Sequence, residues 1–583
     1  MADGAVGPPR AKGGRAPDVF RPGDAWVPMR EHPESEAVDF AIVGTGAGGG
    51  TLACRLAEHG FSVVAFDAGP YWRPLDDFAS DEEQQSKLYW LDERIVDGDD
   101  PIEMGRNNSG RSVGGSMVHF AMVSLRFRPE WFKARTALGY GVDWPVDWRE
   151  MWRYYAEVEE ALKIAGPVRY PWGPPRGRYP YRAHEVNAAG LVLARGCEAL
   201  GVPWAPVPLA TVSAPRGKSP PCVYRGFCII GCSTNAKQSP LVTWLPRALR
   251  AGAEIRDLAM VGRVELGPDG RATGVHYHRD GNWRFQKAKH VVLAGYAVET
   301  PRLLLNSACP RFPDGLANRS GLVGKNLMVH SGHGVFGRVE EEVRWYKGPP
   351  SLALTEHWNY TDTGKDFHGG YVPMSQGPLP IEWANVLTAQ GLWGDALRRR
   401  MTDYIHNAGA KIVGEVMAQE RNRVTLAEER DRFGLPVARV TFSYCDNDRR
   451  LICHALRFQR QMLEAAGVRD LFEVEDTAHL MGTCRMGTDP ERSVTDADGR
   501  CWDIPNLWIC DGSLFPTGGA VNPSLTIQAL ACRAADRIRA MAARGELEGG
   551  GRQSARPASA SGPAGAPLRR ATPSAGSATP LSR

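Results

Sequence analysis

An apolar run at Phe40-Ala41-Ile42-Val43 stops abruptly at Gly44-Thr45-Gly46-Ala47-Gly48-Gly49-Gly50. Residues 51–58 then read as a helix ended near Gly60, and residues 61–67 as a second buried strand. Short apolar runs bounded by glycine on either side of a helical segment predict a βαβ unit. Further along, Asp147 is a candidate N-cap for a Trp-rich helix, residues 188–200 predict a helix ended by Gly201, and residues 245–251 a short helix with Pro246 in its first turn. Alternating apolar positions from Val261 to Val275 surround Pro268-Asp269-Gly270 and predict a hairpin. Residues 290–295 predict a buried strand feeding a helix at 300–305. Strands are also predicted at 424–426, 437–442 and 507–512, and helices at 448–467 and 523–544. Residues 70–104 are acidic and aromatic without a clear period and predict an excursion over the surface.

Composition narrows the picture. The chain has 583 residues, 43% apolar and 23% charged, as in a soluble globular protein large enough for several domains. A net charge of +4, with no basic run interleaved with aromatics, gives no footprint for nucleic acid. No stretch of about 18 apolar residues predicts a membrane span. Residues 1–35 lack an apolar core of signal-peptide length, so the expected location is cytoplasmic by default. Most of the 12 cysteines, Cys54, Cys510 and Cys532 among them, read as small buried hydrophobes.

The βαβ unit carries the first chemistry. In Gly44-x-Gly46-x-x-Gly49, Gly44 allows the tight turn, Gly46 a close approach of backbone to a pyrophosphate, and Gly49 close packing of helix on strand. The pyrophosphate is expected on the helix N-terminus, and Asp67, ending the second strand, on the adenosine ribose hydroxyls. His479 lies in a glycine-rich stretch read as a loop, and histidine suits removal of a hydroxyl proton near neutrality. Asn522-Pro523 opens the last helix, with Asn522 read as its N-cap. Cys222, Cys228 and Cys232 follow a C-x5-C-x3-C spacing with no histidine between His184 and His276, so a local zinc site lacks a fourth ligand. Three thiolates suffice for a three-iron cluster; a disulfide plus one free thiol is the alternative.

Together, the GTGAGGG unit, the loop NNSGRSVGGSMVHFAM, the segment AGYAVETPRLLL, and HLMGTCRMG followed by DGSLFPTGGAVNPSLT resemble the glucose–methanol–choline (GMC) oxidoreductase family, in family order from about Asp39 to Ile538. Within it the motifs are most similar to bacterial sugar and gluconate dehydrogenase catalytic subunits. The resemblance implies an α/β fold: a Rossmann-like FAD-binding domain with an interleaved α+β substrate domain containing an antiparallel sheet. The implied organisation is an arm at 1–35; FAD-domain pieces at 36–125, 222–330 and 470–546; substrate-domain pieces at 126–221 and 331–469; and a disordered tail at 547–583. It implies FAD contacts from Gly44, Gly46, Gly49, Asp67, Gly114, Gly115, His119, Val261, Asp511, Gly512, Asn522 and Pro523. His119 is either the point of covalent attachment or a histidine packed beside a non-covalent flavin. His479 is implied as the base, Asn522 as the holder of the substrate oxygen, and Cys222, Cys228 and Cys232 as ligands of a [3Fe–4S] cluster.

The expected activity is oxidation of a CH–OH group of a sugar, sugar acid or polyol, with hydride passing to flavin N5. Electrons would then pass through the cluster to a separate acceptor such as a cytochrome c, alongside a small partner subunit, and the resemblance implies co-export to the periplasm with that subunit as the alternative location. The alternatives are an oxygen-using carbohydrate oxidase and a non-redox FAD-containing lyase.

Overall fold

The computed structural model describes residues 15–17, 26–105, 108–215 and 220–547. The tail expected beyond Leu547 and most of the expected N-terminal arm lie outside the described residues. The βαβ unit forms as read: β1 (Val38–Val43), α1 (Ala47–Glu58) and β2 (Val63–Phe66), with β1 and β2 parallel. α1 starts at Ala47, four residues earlier than read, because the glycines themselves make its first turn. α2 (Trp148–Ala161) is capped by Asp147, whose carboxylate accepts the Arg149 N–H at 2.7 Å.

The sheet around β1 is completed by distant chain. β3 (Glu254–Arg256) lies parallel to β2. β4 (Met260–Leu266) and β5 (Ala272–Arg279) form the predicted hairpin, and β6 (Asn282–Leu293) follows. The first half of β6 pairs antiparallel with β5; its second half runs parallel to β1, with Val291 opposite Ala41. Only that second half is apolar and buried, so the exposed positions Asn282, Trp283 and Arg284 hid the strand's start. α3 (Tyr296–Asn306) leads away from it.

The second layer is an antiparallel sheet built from β7 (Met328–Ser331), β8 (Gly334–Arg338), β9 (Tyr371–Ser375), β10 (Asn407–Glu415), β11 (Arg469–Val474) and β12 (Thr477–Met481). α4 (Asp446–Ala465), between β10 and β11 in the chain, packs on this sheet together with the helix Ala188–Ala199. The chain then returns to the first sheet. β13 (Leu507–Ile509) adds parallel to β6, with Leu507 opposite Val291, and α5 (Ser524–Ala543) packs on α1 and α2. The parallel core therefore runs β13–β6–β1–β2–β3.

Residues 70–104 differ from the expectation of a surface excursion. Trp72, Phe78, Leu88 and Trp90 are buried, and Ile95–Asp97 adds to a third sheet with Arg423–Arg430 and Pro436–Thr441. Arg94, Glu299, Arg302 and Asp431 form a buried chain of ion pairs that fixes this segment to α3 and that sheet. Their alternating signs let each charge lose water beside a partner.

The ends of three strands converge on the first turn of α1. A Cβ at Gly44, where φ is +98°, would sit 2.3 Å from the Ala294 carbonyl oxygen, and one at Gly48 only 1.7 Å from the Cys510 carbonyl oxygen. Both neighbours are backbone at the ends of β6 and β13, so neither can move aside. We therefore expect Gly48→Ala to destabilise the protein by roughly 1–3 kcal/mol or more, as overpacking does. Gly177→Ala, where a Cβ meets nothing within 4 Å, should be near neutral. Urea unfolding of both variants checks this; equal midpoints would contradict it.

Candidate active site

A cavity of about 1860 Å³ runs from the first turn of α1 to the edge of the antiparallel sheet. Small-molecule sites usually occupy roughly 300–1,000 Å³, so there is room for a dinucleotide and a substrate together. Gly44, Gly46 and Asp67 line one end, and His479, Asn522 and Pro523 another part of the wall. No side chain caps α1 and no acid occupies its first turn, which leaves the helix N-terminus to an anion. The chain's residues therefore fit FAD: an uncapped glycine turn for the pyrophosphate and a long cavity leading from it.

The Asp67 carboxylate first holds the loops of this cradle. Its Oδ2 accepts the Thr45 N–H at 3.1 Å and the Thr45 hydroxyl at 2.6 Å, and its Oδ1 accepts the Gly69 N–H at 2.9 Å. Thr45 Oγ1 in turn accepts the Gly114 N–H at 3.0 Å, tying the first glycine turn to the second. Burial pushes Asp67 up to about 6 against those donors. Gly115 touches Gly46 across the join: a Cβ on Gly115 would sit 2.5 Å from Gly46 Cα. Gly49 and Gly114 do not line the cavity; they allow the packing beneath it. Asp511 is likewise engaged internally, accepting from Tyr296 N, Thr300 Oγ1, Ser513 N and Ser513 Oγ, while Gly512 and Val261 form cavity wall.

His119 follows a short 3-10 turn and is 4% exposed. It lines the cavity, and its Nε2 is buried without a hydrogen-bond partner. Burial, with Lys237 second, pushes its imidazole down to about 3, so the ring is neutral at physiological pH. Lys237 is buried behind it and donates to the Val118 and Cys228 carbonyls at 2.7 Å each.

The cysteine segment gives the expected cluster no support. Among the described residues, no group of three or more His, Cys, Asp or Glu side chains is placed to hold a metal ion, and Cys222, Cys228 and Cys232 are free thiols. Cys228 opens a 3-10 turn, Gly231 then reverses the backbone at φ +97°, and the Cys222 sulfur accepts the Tyr224 N–H at 3.4 Å. Burial pushes Cys228 up to about 12, with Cys232 and Cys222 close enough to add to the rise. The predicted iron–sulfur centre has no support in this arrangement.

His479 lies in strand β12, not in a loop as its glycine-rich surroundings suggested. Met328 pairs with Met481 and His330 with Ala478, so His479 and Leu480 together face Val329 in a β-bulge. His479 takes the left-handed conformation, φ +56°. Non-glycine residues held there cost energy and cluster at functional sites. The bulge brings the His479 Nδ1 within 3.0 Å of His330 Nδ1 and its Nε2 within 3.2 Å of Asn522 Nδ2. His330 Nε2 lies 2.8 Å from the Gly519 carbonyl oxygen. Burial, with His330 second, pushes His479 down to about 3. Asn522 does not cap α5 as read: the N-cap position is Pro523, and the Asn522 amide turns to His479 instead. Its Oδ1 is buried without a partner.

Sequence reasoning missed His330, Glu415, Lys411 and the wall at Glu82, Tyr89 and Trp90. His330, Glu415 and Lys411 belong to no motif and are brought in by sheet register, whereas Glu82, Tyr89 and Trp90 come from a 3-10 turn at Glu82–Leu88 and the residues after it, in the stretch read as a surface excursion. Glu415 pairs across from His330 and accepts from Tyr140 Oη at 2.8 Å and Gly519 N at 3.1 Å. β7 and β10 are buried along almost their whole length, so no alternation of polar and apolar positions singles these residues out.

Comparison with known proteins agrees with this geometry. Family models described as GMC oxidoreductase match residues 107–332 and 418–531. A 2-methyl-1,2-propanediol dehydrogenase of Mycolicibacterium austroafricanum is 33% identical over 86% of this chain and 95% of its own. The fructose dehydrogenase large subunit of Gluconobacter japonicus is 28% identical over 87% and 98%. Among solved structures, an Aspergillus oryzae formate oxidase variant, whose structure concerns modification of FAD, is similar with a TM-score of 0.65 at 17% identity, covering 88% of this chain and 100% of that one. The chain belongs to the GMC oxidoreductase family, enzymes that oxidise alcohol groups.

Proposed function

We propose that this protein is an FAD-dependent dehydrogenase that oxidises a CH–OH group of a polyol, sugar or sugar acid and passes electrons to a separate acceptor. The observation that carries the reading is the pair His479 Nε2 and Asn522 Nδ2, 3.2 Å apart on the cavity wall. A hydroxyl group is both donor and acceptor. It can donate its proton to the imidazole nitrogen while its oxygen accepts from the amide N–H. His479 takes the hydroxyl proton at Nε2, and Asn522 stabilises the oxygen as its charge grows. Bound FAD supplies the hydride acceptor. The cavity wall beyond the pair carries Ser351, Gln376, Asn385, Lys411 and Thr477, a lining suited to several hydroxyl groups. The diol and fructose dehydrogenases among the relatives support a hydroxyl-rich substrate and transfer to a separate acceptor. The 6'''-hydroxyparomomycin C oxidase of Streptomyces lividus, 28% identical over 86% of this chain, keeps direct use of O₂ as the second reading. His119 is the proposed attachment point for the cofactor because it lines the cavity, its ring is neutral, and its Nε2 has no hydrogen-bond partner.

Anaerobic mixing with a panel of diols, polyols, aldoses and sugar acids should bleach the flavin, and one-electron dyes should reoxidise it faster than air. Steady O₂ consumption at the same rate would favour the oxidase. His479→Ala should slow anaerobic flavin reduction by roughly 10²–10⁴-fold while FAD stays bound. Its imidazole is held neutral down to about 3, so the limiting reduction rate should stay level as pH falls from 7 to 5. A free imidazole near 6.5 would lose most of its base form over that range. A rate that falls tenfold by pH 5 would contradict the burial argument. Acid precipitation of the holoenzyme should leave flavin in the pellet, and His119→Ala should release it to the supernatant. Flavin released equally by both proteins would remove the link.

A further inference from the structure

The reading of His479 as the base leaves open what makes the correct nitrogen available. A neutral imidazole carries one N–H and one lone pair, and which nitrogen has which is set by what the other nitrogen meets. The Gly519 carbonyl can only accept, so His330 Nε2, 2.8 Å away, must be the protonated nitrogen of that ring. His330 Nδ1 is then a lone pair, 3.0 Å from His479 Nδ1. Two lone pairs cannot share that distance, so His479 must present Nδ1–H. Its Nε2 is thereby left as the lone pair, facing the Asn522 amide at 3.2 Å.

We infer that His330 is a positioning residue that fixes the tautomer of His479, so that the nitrogen facing the cavity is the basic one. The carbonyl at the start of this chain is itself held. Gly519 takes φ +60°, a Cβ there would strike Trp131 at 2.9 Å, and its N–H is bound by Glu415 at 3.1 Å. Glu415 is in turn held by Tyr140. His330 is fully buried, and its ring meets that of His479 edge-on at 5.2 Å and 81°. The other tautomer of His479 would set two lone pairs against each other at Nδ1 and turn an N–H toward the hydroxyl to be deprotonated. In the forward step the substrate O–H bond breaks and the proton joins His479 Nε2. Nδ1–H stays bonded to His330, which neither gains nor loses a proton.

This inference rests on His479 as base, and two substitutions isolate it. His330→Leu removes the acceptor facing His479. His330→Asn keeps one, because the asparagine Oδ1 takes the place of the histidine Nδ1. Both lose the bond to Gly519, so any difference between them belongs to the acceptor. The expected result is a fall in kcat of roughly 10²-fold or more for His330→Leu, as when a catalytic histidine is left in the wrong tautomer, with KM little changed. His330→Asn should recover most of that loss. Equal loss in both variants, or no loss in His330→Leu, overturns the inference. A second readout is independent of turnover: ¹⁵N-histidine spectra of the wild-type holoenzyme should show His479 Nε2 as an unprotonated ring nitrogen, shifting to a mixture in His330→Leu. A wild-type Nε2–H signal would also overturn it. If His479→Ala retains full flavin reduction, the base assignment fails, and that result is distinguishable because the spectra still report the tautomer.

Discussion

The structure depends first on hydrogen atoms standing where side chains would be. At the first turn of α1, the carbonyls that end β6 and β13 press onto Gly44 and Gly48 to distances no Cβ survives. The three strands that meet there come from residues 38–43, 282–293 and 507–509, so one short glycine run gathers pieces of chain separated by hundreds of residues. The same close approach leaves the helix N-terminus bare at the head of the cavity. Packing and anion binding therefore share one cause.

The carboxylates around this turn serve the cradle before any ligand. Asp67 and Asp511 each accept at least three bonds from neighbouring loops. Each is buried, and burial raises both, so the donors around them offset a desolvation cost. Thr45 makes the pattern concrete: it donates to Asp67 and accepts from Gly114, and so registers the two glycine loops against each other.

At the other end of the cavity the organising device is an irregularity. A perfect antiparallel pairing of β7 with β12 would leave His479 in step with its neighbours. The bulge and the left-handed backbone at His479 take it out of step, toward His330 on one side and Asn522 on the other. A strand holds His330 and the start of α5 holds Asn522, so the strained residue is the one whose direction is set by everything around it.

The sequence by itself determined the βαβ unit, the capped α2, the β4–β5 hairpin and the late helices, because each rests on local period and local turn chemistry. Motif order also made the family, the glycine cradle, His479 and Asn522 legible. It misread what depends on partners far along the chain. The polar half of β6 is a strand only because β5 lies beside it. Residues 70–104 are buried because the third sheet and α3 receive them. Asn522 turns from α5 because His479 is within reach. Cys222, Cys228 and Cys232 share a spacing, but a spacing fixes contour length and does not by itself make three free thiols a metal centre. His330 carries no motif at all. Only the register of β7 between β10 and β12 sets its two nitrogens between a carbonyl and a second imidazole, and register is a property of the assembled sheet.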